Sequence, residues 1–297
     1  MTTPIVGSPE WLALRMTGIG ASEAAAACGV SRYATPLHVY MRKRGLLSDI
    51  EDNDAMRMGR RLEPVVLSEF IERSGEEVAE YPVPTMRHPI YDCILATPDA
   101  RLKSGSLLEC KTTSWRMAQE LGEEGSDYIP TEWLMQCQQQ MAVAGVDLCH
   151  LAVLLDGRTL RTYQVRRHEK IIAQIVQVEL ELWEKIDAGV APLPNFEHEA
   201  TAELLRSIHG VKTGKIIELP EDLAAEWERQ KAMGQQISAL QEEREAVRSK
   251  VLHAIGDAAI ARLPGGVREI ARKQIPEKAI SFVKKPYVHI TERKVKE

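Results

Sequence analysis

The order of local patterns predicts an α/β fold of the α+β kind: a sheet flanked by helices, then a long helix with short strands beyond it. Two observations carry this. Short β-like runs separated by Pro- and Gly-bearing turns cluster between residues 77 and 113, with helical patterns before and after them. A further strand pair, joined at Asp156-Gly157, follows the next helix, whereas beyond residue 220 the chain becomes one long polar helical stretch.

Taken in order, residues 21–28 read as a short helix with Ser22 near its start and Gly29 as its stop. Thr35-Pro36 supplies an N-cap and first-position proline for a second helix ending near Gly45. After an acidic loop at 49–54, a longer helix spans about 55–73, with a kink or fresh start expected at Pro64. Strands are expected at 77–83, 90–96 and 106–111. A helix at 131–144, strands at 148–155 and 159–165, and a helix at 168–188 complete the first part. Pro192 and Pro194 break the pattern, so the expected domains are 1–195 and 196–297. In the second, residues 220–258 form a helix whose apolar stripe includes Leu223, Trp227, Ile237, Leu240, Val247 and Val251, and short strands are expected at 267–271 and 288–291.

Composition excludes several classes. The 297 residues are 44% hydrophobic and 27% charged, with no apolar run of membrane-spanning length and no signal-peptide pattern, so a cytoplasmic protein without a membrane partner is expected. The five cysteines form no CxxC pair, which speaks against a zinc site, a disulfide framework or an iron–sulfur cluster. Gly210-Val211-Lys212-Thr213-Gly214 lacks the spacing of a phosphate-binding NTPase loop. The net charge of −5 is unusual for a polyanion's partner, although from Gly266 onward nine Lys/Arg face four Glu, a local balance of +5.

The chemistry concentrates in Thr97-Pro98-Asp99 and, nine residues further on, Glu109-Cys110-Lys111. In a strand, Glu109 and Lys111 share a face while Cys110 points into packing on the other. Asp99, just past one strand, can meet them, and two carboxylates at a strand end suit a hard divalent cation such as Mg²⁺. Lys111 adds a fixed cation able to position a nucleophilic water and offset charge on a phosphodiester. Glu-x-Lys alone carries little weight: Glu292-Arg293-Lys294 repeats it without an upstream aspartate. Glu63 heads the stripe Val66, Leu67, Phe70, which puts a carboxylate at the end of a buried helix face, to be met by metal or by Arg60 or Arg61. Gln136 shares a helix face with Trp133 and Gln140, a pattern more common on solvated faces than in sites. Arg15 with the following Gly18-Ile19-Gly20-Ala21-Ser22-Glu23 can seat a phosphate, and Ser22 reads equally well as a plain helix cap.

In this order these residues resemble the YqaJ-type viral recombinases, relatives of phage lambda exonuclease within the PD-(D/E)xK nucleases. The resemblance spans about residues 11–184 and rests on Leu14-Arg15 with residues 18–23, Gly59-Arg60-Arg61-Leu62-Glu63, Thr97-Pro98-Asp99, Leu108-Glu109-Cys110-Lys111 and Gln136-Cys137-Gln138. It implies a restriction-endonuclease-like core with a central mixed sheet. It further implies a 5′→3′ exonuclease that trims one strand of linear duplex DNA and leaves 3′ overhangs for a single-strand annealing protein. By that resemblance Asp99, Glu109, the Cys110 carbonyl and Glu63 would hold one or two Mg²⁺, with Mn²⁺ able to substitute. Lys111 and Gln136 would be catalytic, while Arg15, Ser22 and Thr97, the last standing where the family often has serine, would contact the 5′-phosphate and DNA. A ring-shaped homo-oligomer on the DNA end is a further implication, and residues 196–297 would serve assembly, DNA or partner binding. Two other readings of the same residues are a structure- or site-specific endonuclease and a non-catalytic DNA-binding or assembly protein.

Overall fold

The computed structural model describes residues 8–47, 53–208, 216–265 and 267–273. The acidic loop, the 210–214 segment, the strand expected at 288–291 and Glu292-Arg293-Lys294 lie wholly or largely outside these residues. The chain divides into two compact units, the first built on residues up to Gly210 and the second on Val211–Tyr287.

In the first unit the elements are α1 (Pro9–Arg15), β1 (Ile19–Gly20), a 3₁₀ turn (Ala21–Glu23), α2 (Ala24–Ala27), α3 (Pro36–Lys43), α4 (Asp54–Ser74), β2 (Val78–Glu80), β3 (Met86–Arg87), β4 (Ile94–Ala96), β5 (Ala100–Leu102), β6 (Leu107–Thr113), a second 3₁₀ segment (Trp115–Glu120), α5 (Thr131–Ala144), β7 (Leu148–Leu155), β8 (Thr159–Arg166), α6 (Glu169–Ala188) and α7 (Glu199–Ile208). A five-stranded mixed sheet runs β2-β5-β6-β7-β8, parallel only between β6 and β7. A smaller sheet, β1-β4-β3, pairs β1 and β4 in parallel.

The large sheet is covered on both faces. Val66, Leu67 and Phe70 of α4 pack on Leu102, Leu108, Ala152 and Leu154. Cys137 and Met141 of α5 pack on Leu107, Cys149, Leu151 and Val153. Successive residues of β6 therefore alternate between the α4 and α5 sides, as the period of a strand requires. The pairing of parallel β6 and β7 explains why β7 is buried almost throughout.

Several sequence expectations need correction. Residues 21–28 do not form one helix capped by Ser22: a 3₁₀ turn precedes α2, and Gly20 stands at the cap, its N–H donating to the Glu23 carboxylate at 3.0 Å. No break occurs at Pro64. Its position on the exposed face of α4 lets water meet the carbonyl left unpaired one turn earlier, while the buried stripe holds the helix together. The expected strand 77–83 shortens to β2, and β1, β3 and β5, of two or three residues each, fall below the length at which alternation shows. Helix α1, capped by the Ser8 hydroxyl, is an addition to the sequence reading. Helix α7, past the expected boundary at 195, buries Leu204 in the cluster of Leu182 and Ile186.

The second unit holds α8 (Glu221–Ile255) and an antiparallel pair, β9 (Ile260–Arg262) with β10 (Glu269–Ala271). Along α8 the stripe residues Leu223, Ile237, Leu240 and Val247 are exposed.

A close approach of backbone places the entry of the small sheet. A Cβ added to Gly18 would lie 2.5 Å from the Cys93 carbonyl oxygen, beside the Ile19 N–H bond to that same oxygen at 2.7 Å. Gly18→Ala must push β1 off β4, so we expect about 1–3 kcal/mol lower stability in urea unfolding.

Candidate active site

Strand β6 carries Glu109 and Lys111 to the α5 face. Glu109 is 3% exposed and every polar contact it makes comes from a donor side chain. Its Oε2 accepts from Gln140 Nε2 at 2.6 Å, and its Oε1 accepts from Gln136 Nε2 at 2.6 Å and from Lys111 Nζ at 2.5 Å. Lys111 Nζ also donates to Gln136 Oε1 at 2.9 Å, which fixes the orientation of that amide. Gln136 and Gln140 are one helical turn apart and so face the strand together. The solvated-face reading of these glutamines is thereby corrected, since Gln138, Gln139 and Gln140 are buried as well.

Asp99 follows Pro98 in the bend between β4 and β5 and accepts the Cys110 backbone N–H at 2.6 Å. The antiparallel register of β5 on β6 sets it beside Glu109. Burial first, then the charges of Glu109 and Glu63, push the Asp99 carboxyl well above its ordinary pKa, against the pull of Lys111 and the Cys110 N–H. Glu63, on the α4 side, is raised by burial and by Glu109, while a hydrogen bond from Tyr81 and the charge of Lys111 oppose the rise. Burial would lower Lys111, but Glu109 and Asp99 outweigh it and hold the amine above its usual value. Cys110 turns its side chain into the α4 packing, as the alternation of the strand demands.

Asp99, Glu63, Tyr81 and Gln136 border a cleft of about 630 Å³ that also brings in Trp11, Arg15, Ser22 and Thr97, and Gln136 ties Glu109 and Lys111 to its edge. Arg15 lies over the Trp11 ring at 4.9 Å from its centroid, and the Thr97 and Thr85 hydroxyls are 2.8 Å apart. All of the residues expected to carry chemistry thus meet in one region. Tyr81, Trp11 and Gln140 join them without having been singled out for it. Gln140 had a readable signal in its four-residue offset from Gln136, whereas Tyr81 arrives from an irregular segment that no periodicity marks.

Among the described residues, no three His, Cys, Asp or Glu side chains already form a metal cage. The donor set nevertheless fits Mg²⁺, which keeps several waters and needs only one or two carboxylates. Three mutually repelling carboxyl groups facing one ammonium make a divalent cation the natural counter-charge.

Two thirds of the chain have the fold of an alkaline exonuclease from Laribacter hongkongensis: 24% identity, TM-score 0.53, covering 66% of this chain and all of that one. The structure of that exonuclease in complex with dAMP matches similarly, at 23% identity and TM-score 0.53, with the same shares covered. Residues 10–147 match the YqaJ-like viral recombinase domain. The uncharacterized protein YqaJ of Bacillus subtilis (strain 168) is 30% identical over 254 residues, covering 84% of this chain and 78% of that protein. The chain belongs to the YqaJ-like viral recombinase family.

The crowded carboxylates have a measurable consequence. Because the folded-state pKa of Asp99 is raised, the stability it confers is complete below the ordinary aspartate value and is lost as pH rises through the raised folded value. Without divalent ions, Asp99→Asn, which can still accept the Cys110 N–H, should be more stable than wild type at pH 7 by about 1 kcal/mol, and the gain should vanish near pH 3. Chemical denaturation at both pH values measures it, and equal stabilities at pH 7 would contradict the assignment.

Proposed function

We propose that the protein is a divalent-metal-dependent exonuclease that digests one strand of linear double-stranded DNA from its 5′ end, leaving 3′ overhangs for recombination. The observation that carries this reading is the convergence at the cleft: Asp99, Glu63 and Gln136 line it together with Arg15 and Ser22, and Gln136 hydrogen-bonds both Glu109 and Lys111. Membership of a viral recombinase family and the fold shared with an alkaline exonuclease crystallised with dAMP support it.

Asp99, Glu109 and the Cys110 carbonyl, with Glu63 in addition, would hold one or two Mg²⁺, which Mn²⁺ can replace. When bound, such an ion polarises the phosphoryl oxygen and makes a neighbouring water acidic enough to attack at neutral pH. The remaining work belongs to the chain. Lys111 is held protonated by Glu109 and Asp99, so it acts as a fixed cation that orients the attacking water and offsets charge on the phosphate, not as a base. Gln136 and Gln140 lock the Glu109 carboxylate so that no reorganisation is needed during reaction. Arg15 and Ser22 seat the terminal 5′-phosphate, and Thr97 supplies a further hydroxyl to the DNA.

The enzyme would work in the cytoplasm of a bacterial or phage-infected cell, and among the described residues no helix is long and apolar enough to cross a membrane. A ring-shaped homo-oligomer around the duplex, assisted by residues 196–297, and delivery of the overhang to a single-strand annealing protein complete the reading. The test compares linear duplex carrying a 5′-phosphate with closed circular DNA, in Mg²⁺, for wild type and Lys111→Ala. Mononucleotides should leave the 5′ ends of the linear substrate alone, with the rate reduced by about 10²–10³ in the variant. Cleavage of the circle would instead mark an endonuclease, and no metal-dependent cleavage of either would leave a DNA-binding or assembly protein.

A further inference from the structure

Beneath the proposed phosphate seat lies a buried ion pair that the mechanism above does not use. Three segments converge on one carboxylate oxygen, Glu23 Oε2: Lys43 Nζ from α3 at 2.6 Å, the Gly20 N–H at 3.0 Å and the Arg15 guanidinium at 3.6 Å. Lys43 Nζ donates also to the Arg15 carbonyl at 2.8 Å, which ties the end of α1 to the same point. The side chains of Glu23 and Lys43 are 8% and 3% exposed, while that of Arg15 is 28% exposed and borders the cleft.

We propose that Glu23 and Lys43 are positioning residues: they aim the Arg15 guanidinium and the main chain of residues 20–22 so that the cleft selects a 5′-phosphorylated DNA end. The inference rests on the reading of Arg15 and Ser22 as the phosphate seat. Its physical ground is that burying two charges is expensive, and an apolar pair of equal volume would stabilise the packing as well or better. What an apolar pair could not do is hold one end of Arg15 while Trp11 holds its flat face.

Glu23 meets both cations, Lys43 and Arg15, at the same oxygen. Glu179, fully buried on α6, has neither carboxyl oxygen hydrogen-bonded. Burial and the nearby Glu23 charge push the Glu179 pKa well above the usual range, against the pull of Lys43. Glu23 itself is held below the ordinary glutamate value, because Lys43 and Arg15 overcome the effect of its burial.

The experiment measures kcat/KM on duplexes ending in 5′-phosphate and in 5′-hydroxyl. For the folded variant Glu23→Gln, the wild-type preference for phosphate should fall roughly tenfold, as expected of a displaced rather than missing cation. In an Arg15→Ala background the same change should have no further effect on the preference, a result that a merely structural role would not produce. Should Glu23→Gln fail to fold, Lys43→Arg keeps the charge but moves the donors and carries the same expectation. An unchanged preference, a preference increased by the extra positive charge, or an equal effect with and without Arg15 would each overturn the positioning role. A wild-type enzyme indifferent to the 5′ group would remove the phosphate seat itself, which separates that failure from this one.

Discussion

The Glu109 carboxylate is the point on which the rest of the site depends. It sits on the central strand of the large sheet, almost without solvent itself, and its charge is met entirely by side chains around it. Lys111, Gln136 and Gln140 supply every hydrogen bond it makes, so strand β6 and helix α5 must meet at one register for the fold to be tolerable at all. That register in turn fixes Asp99 through the Cys110 N–H and faces Glu63 towards both. The proposed catalytic arrangement and the packing solution are here the same set of contacts.

The same crowding explains how a chain of net charge −5 can be directed at a polyanion. Three of its carboxyl groups crowd together where a divalent ion would offset them, and Arg15 and Arg60 line the same cleft. Free of metal, Glu109 raises the pKa values of Asp99 and Glu63, and Glu63 adds to the rise at Asp99, so the crowding costs the folded chain stability at the cleft. Buried pairing of opposite charge, as between Glu23 and Lys43, does the reverse and ties α1, α3 and the 3₁₀ turn into a rigid wall.

Much of this was legible in the chain because the relevant elements are long and periodic. Helices α4, α5, α6 and α8 and strands β7 and β8 show their spacing over many residues, and Asp156-Gly157 marks its turn by adopting positive φ at both positions. The pieces that escaped are the short ones: β1, β3 and β5 depend on partners distant in sequence, and a strand of two or three residues has no pattern to read. The fresh helix start that Pro64 allowed did not occur, because tertiary burial of Val66, Leu67 and Phe70 outweighs one missing hydrogen bond on the exposed side. At the site, Asp99, Glu109 and Lys111 were readable from strand alternation plus an upstream Pro-Asp. Gln136 was marked only by the family resemblance and Gln140 only by its offset from Gln136, since an amide run on a helix looks solvated until the carboxylate that occupies it is placed. Lys43 gave no local sign, because its role exists only through contact with Glu23 and Arg15.

Direct observation of the cation is the most decisive measurement. Electron paramagnetic resonance with Mn²⁺, on the full chain with a short 5′-phosphorylated duplex, should report bound ion in the wild type and loss of that signal in Asp99→Asn and in Glu109→Gln, with Lys111→Ala still binding. Binding unchanged by either carboxylate substitution, or absent from the wild type, would contradict the assignment of this cleft as a metal-dependent phosphodiesterase centre.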